Sequence, residues 1–187
     1  MNKRVFLAGV LGAVAMFLWS GIAHMALPLG EAGVQQIDKE DALLSTLQST
    51  LSSHGLYMFP KMVPGTSETE YQKKIASGPS GLLIYFPSRD WTFGKSLAIE
   101  FVTELIQALI AAYLLSLTTL GTFPKRFGFY VILGLLAAIA TNISYWNWYG
   151  FPVTYTASYM FMGWVGYLCA GSVAAVMKIG GPKTASA

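Results

Sequence analysis

Four long apolar runs, separated by polar connections, dominate the pattern of hydrophobic and polar positions along the chain. They cover residues 5–27, 95–120, 129–147 and 155–176, each near or above the ~20 residues that a helix needs to cross a bilayer. The predicted fold class is therefore an all-α integral membrane protein, a bundle of four transmembrane helices. The first run follows a basic start at Lys3 and Arg4, as a secretory signal would. It is longer than a typical signal core and has no A-x-A site near Ala23 to Ala26, so a retained helix is expected. Gly9, Gly12 and Ala15 on the first helix, and Gly163, Gly166 and Ala170 on the fourth, offer small positions for close helix contact.

The pattern changes between residues 28 and 91, which hold seven of the nine acidic residues and are too mixed to cross a membrane. A small, mostly helical domain outside the bilayer is expected there. Asp38 and Asp41 predict the opening of a helix whose Leu43, Leu44, Leu47 and Leu51 share a face, closed near Gly55. Ser67 with Glu70 forms a capping box for a second short helix, ended by Gly78 and Pro79. The runs LYMFP at 56–60 and LLIYFP at 82–87 could pair as strands or dip into the interface, and their prolines argue against central strands.

Composition sharpens this reading. Only 11% of residues are charged and 54% are hydrophobic, against about 25% charged in an ordinary soluble domain. A net charge of +3 without a basic cluster gives no footprint for nucleic acid. The single cysteine, Cys169, excludes an intramolecular disulfide and a CxxC pair, and reads as inert core. No Walker loop, GxSxG, HExxH or GxGxxG occurs, which leaves nucleotide-binding, hydrolase and zincin readings without a motif. Met16, Met25, Met58, Met62, Met160 and Met162 lack a tight MxxM cluster with histidine and read as flexible packing.

Charge also orders the helices across the membrane. Lys3, Arg4, Lys125, Arg126, Lys178 and Lys183 all fall at one end, the connection at 121–128 among them, with no acid beside them. By the positive-inside rule that end is cytoplasmic, with both termini there, and 28–91 becomes a periplasmic domain in a bacterial inner membrane. The tail from Met177 reads as short, basic and frayed. Trp91, Trp146, Trp148 and Tyr149 mark the opposite interface.

That order brings polar residues to a common depth. Ser20 and His24 end the first helix. Glu100, Glu104 and Gln107 form a stripe near the start of the second, spaced to share a face. Asn142 and Ser144 close the third, and Tyr155, Ser158 and Tyr159 open the fourth. The other leaflet reads as bland. These residues define a candidate outward-facing pocket, roofed by the 28–91 segment, in which His24 and the glutamates could bind a cation, carry a proton or orient a polar head group. Three scattered potential ligands are a weak metal signal, so no metal is expected. The competing reading is structural: the same groups hydrogen-bond across the bundle and fix helix register, with Glu104 partnered by His24 or Asn142. His54, just before Gly55, reads as a solvated cap.

The segments FLWSGIAHMALPLG at 17–30, DKEDALL at 38–44, GLYMFP at 55–60 and SYWNWYGFPVTYT at 144–156 together resemble an uncharacterised family of small four-helix bacterial inner-membrane proteins. The resemblance implies the four-helix architecture and a bacterial origin, and supplies no catalytic positions. The layout, with a large first loop, is also similar to that of claudins and tetraspanins, whose loop cysteines are missing here. The first functional expectation is a non-enzymatic accessory, assembly or scaffolding subunit, partnered by lipid and by other membrane subunits or copies of itself. The second is a small transporter or a lipid-, quinone- or ion-binding protein that uses the polar pocket. A membrane enzyme is the least supported reading, and no cofactor is indicated.

Overall fold

Runs of Leu, Ile, Val, Ala and Phe with no proline beyond the first turn set the four long helices of the computed structural model, which describes residues 1–181. Helix α1 spans Lys3–Met25, and Asn2 caps it by accepting the Val5 amide at 2.9 Å. In the polar segment α2 spans Glu40–Thr50, β1 Gly55–Phe59, α3 Glu68–Ser77 and β2 Gly81–Tyr85. The remaining long helices are α4 (Phe93–Ser116), α5 (Phe123–Tyr149) and α6 (Val153–Val176). All four long helices are sufficiently long and apolar to cross a membrane, and the chain is a multi-pass membrane protein. By contact the chain divides into two units. One holds Met1–Val34, Trp91–Asn147 and the residues from Phe151 onward; the other holds Gln35–Asp90 with Trp148–Gly150.

Within the helical unit, α1 is the central helix. A side chain on Gly9 would meet the Leu109 backbone at 2.9 Å, and one on Gly12 would meet Ala170 at 3.3 Å. At Gly9 glycine is required because the neighbouring backbone occupies the space of a Cβ, while at Gly12 it lets the helices meet closely. The core they create is largely alanine: Ala8, Ala13, Ala108, Ala111, Ala112, Ala170 and Ala174, closed by Leu115, Tyr130 and Ile179. Helices α5 and α6 meet by a different device. Gly134 lies under Tyr167 and Gly171 under Tyr130, so each helix offers a hole for the other's ring. Trp164 adds a bond from its indole N–H to the Val131 carbonyl at 3.2 Å. The pairings 9 with 109, 12 with 170 and 134 with 167 make successive helices antiparallel, so the ends of α1 and α5 lie beside the starts of α4 and α6.

Two sequence expectations are revised. A Cβ on Gly163 would meet nothing within 4 Å, so this residue does not pack a helix, and Gly171, not singled out by sequence, is the true contact. The bland end is not bland either. Arg126 lies in the first turns of α5 instead of in a loop, and is only 7% exposed. Its Nε donates to the Ile179 carbonyl at 2.7 Å and its Nη2 to Gly180 at 3.2 Å. A cation near a helix N-terminus opposes the macrodipole; here the carbonyls beyond the end of α6 offset that cost.

Those carbonyls are held by a Schellman turn. The Ile179 amide reaches back to Ala174 at 3.0 Å and the Lys178 amide to Ala175 at 3.1 Å. Lys178 takes the left-handed conformation, φ 54°, that glycine commonly fills at this position. Ile179, 2% exposed, is the apolar plug that accompanies the motif. Residues 177–181 are thus a packed hook and not a frayed tail; the rest of that tail, Lys183 included, lies outside the described residues.

In the smaller unit, β1 and β2 pair antiparallel, with Tyr57 opposite Leu83. Ser67 accepts the Glu70 amide at 3.2 Å, as the capping pattern requires. The opening of α2 differs from expectation: Asp38 lies outside the helix, Lys39 takes the cap position without a side-chain bond, and Gly55 begins a strand. The face carrying Leu43 and Leu44 is exposed. His54 stacks on Phe86, with ring centroids 6.1 Å apart, and Arg89 covers the same ring at 4.9 Å.

Candidate functional site

At the end where α1 and α5 finish and α4 and α6 begin, the helices line a half-open cavity of about 600 Å³. That volume is within the range of small-molecule sites. All four long helices supply walls. Of the sequence candidates, Ser20, His24, Glu100, Glu104, Gln107, Asn142 and Tyr159 line it, while Ser144 does not and is exposed. Between the polar groups the lining is apolar and aromatic, with Met16, Phe17, Trp19, Leu97, Met162 and Tyr167.

Glu104 is the feature that sets this cavity apart. It is 7% exposed, and its Oε2 has no hydrogen-bond partner. The partners expected for it are engaged elsewhere. His24 directs Nδ1 to the Ser20 carbonyl at 2.9 Å, and since a carbonyl only accepts, that nitrogen carries the proton. Asn142 spends its amide N–H on the Ala138 carbonyl one turn back, at 3.0 Å. Local helix geometry wins in both cases, because an i−4 carbonyl is always within reach of a short side chain. Glu100, one turn nearer the helix start, is exposed.

Other polar groups of this end have structural work. Ser158 donates to the Leu29 carbonyl at 2.8 Å and Tyr159 to Gly30 at 3.3 Å, fastening the single 3₁₀ turn at Leu29–Glu31 to the start of α6. His24 lies on Gly30, where no side chain would fit, and meets Tyr159 edge to face. Trp19 donates its indole N–H to the Met162 carbonyl at 2.9 Å, which fixes one wall. The interfacial aromatics Trp91, Trp146, Trp148 and Tyr149 are exposed and none of them lines the cavity.

Sequence reasoning missed several lining residues. Thr141 was legible as a neighbour of Asn142, whereas Gly163 and Gly166 carried only a packing signal. Among the described residues no group of three His, Cys, Asp or Glu side chains is placed to hold a metal ion. No protein-family model, curated protein or solved structure matches the chain.

Proposed function

We propose that this protein binds a small amphipathic molecule within the membrane, holding its apolar body between the helices and its polar head at Glu104. One observation carries the reading: a buried carboxylate with an unpartnered oxygen lines a cavity large enough for a ligand. Desolvating such a group without a partner costs several kcal/mol, which a bundle built only for stability has no reason to retain. A ligand that donates to Oε2 removes that cost. Carriage of the molecule across the membrane is the natural extension, and four helices would need a second copy to build a path.

Basic residues at the starts of α1 and α5 support an orientation with the cavity facing outward, in a bacterial inner membrane with the 28–91 segment in the periplasm. The accessory-subunit reading rests on the broad apolar faces of the long helices, such as Ile132, Leu136 and Val176, and lipid covers such faces equally well.

Gly163 provides the test, since it lines the cavity and a Cβ there meets no atom within 4 Å, which leaves room for a bulky side chain at the cavity wall. Native mass spectrometry of protein released from its own membranes should show a bound small molecule on the wild type and none on Gly163→Phe. Absence of any adduct from the wild type, or equal retention by both, contradicts the proposal.

A further inference from the structure

Resting on the reading of the cavity as a ligand site, we infer that the head group it takes is an organic cation, a protonated amine on an apolar or aromatic body. Two carboxylates, Glu100 and Glu104, line the cavity, and among the described residues no lysine or arginine does. An anionic head would meet both acids with only the His24 imidazole, already turned to the Ser20 carbonyl, to oppose them, and a neutral head would leave the buried carboxylate without a counter-charge. An ammonium supplies charge and up to three donors, one of which can answer the unpartnered Oε2 of Glu104. A bare inorganic cation fits less well: among the described residues no three His, Cys, Asp or Glu side chains converge to replace its hydration shell.

The walls suit the rest of such a ligand. Trp19, Tyr159 and Tyr167 line the same space as Glu104, and aromatic faces attract ammonium groups as well as packing apolar bodies. Trp19 and Tyr159 are each fixed by a hydrogen bond to a backbone carbonyl, so these rings are held in place before a ligand arrives. Gln107, one turn deeper than Glu104 on the stripe, adds a neutral amide at the inner limit of the site.

A series matched in shape separates this inference from the reading beneath it. Full-length protein in lipid nanodiscs is titrated with 4-phenylbutylamine, 4-phenylbutanol and 4-phenylbutyrate, followed by tryptophan fluorescence, with Gly163→Phe as the blocked control. The amine should bind at least ~10-fold more tightly than the alcohol, a factor worth about 1.4 kcal/mol. Glu104→Gln should erase that preference while leaving the alcohol affinity within ~3-fold, which also reports that the variant is folded. Glu100→Gln, at the exposed rim, should weaken the amine less. If the alcohol or the carboxylate binds as well as the amine, or if Glu104→Gln keeps the preference, the cationic assignment is overturned and the cavity reading survives. If none of the three binds the wild type more tightly than Gly163→Phe, both are overturned.

Discussion

Each end of the helical unit buries one charged side chain to the same 7% exposure, Arg126 at one end and Glu104 at the other, and the two are treated in opposite ways. The guanidinium is matched to two carbonyls that a Schellman turn presents to it, and Gly181 closes the arrangement with a bond to the Thr118 carbonyl at 3.2 Å. The carboxylate has an unpartnered oxygen and about 600 Å³ of space. Burial alone therefore does not separate a structural charge from a functional one. Satisfaction does: the paired end locks α4, α5 and the hook after α6 together, and the unpaired end keeps an unmet demand that a ligand can answer.

The largest effect should come from the satisfied end. Arg126→Met keeps the apolar stem and removes every donor, which orphans the Ile179 and Gly180 carbonyls, and a loss of about 3 kcal/mol is expected. Reversible unfolding in mixed detergent micelles measures it, and a change below ~0.5 kcal/mol would show that the clamp is ornamental.

The ring-in-glycine contacts come next. Gly171→Ala places a methyl group 2.5 Å from the Cβ of Tyr130, and overpacking of this kind costs about 1–3 kcal/mol. Gly163→Ala, the same change at the cavity wall where nothing lies within 4 Å, should be neutral or mildly stabilising through helix propensity. Equal losses from both would mean that the cavity collapses around Gly163 and that the two glycines are not different in kind.

How much of this was legible in the sequence follows from what each signal measures. Hydropathy and length reveal a spanning helix directly, so the four long helices follow from composition alone. Ordering them by charge then put Ser20, His24, Glu100, Glu104 and Asn142 at one depth, and these residues do line one cavity. Partnership was not legible. His24 and Asn142 were expected to reach Glu104, yet each is captured by a carbonyl of its own helix, a choice that depends on side-chain rotation and not on depth. Arg126 was hidden for another reason: its acceptors lie 53 and 54 residues further along, on a hook that sequence read as a tail. Small residues gave the right signal at Gly9, Gly12 and Ala170 and failed at Gly163, because Gly163 and Gly171 are indistinguishable until the facing side chain is known. In the polar segment, Ser67 capped as its spacing requires, while Asp38 was displaced when the helix began two residues later at Glu40.

The contrast between the ends is tested most directly by the unfolding free energy of ligand-free Glu104→Gln beside that of the wild type, in the micelle system used for Arg126→Met. Replacing a buried, unpartnered carboxylate with a neutral amide of the same shape should leave stability unchanged or raise it by up to about 1 kcal/mol. A loss approaching that of Arg126→Met would show that Glu104 holds the bundle together as Arg126 does, and would contradict its assignment as a site.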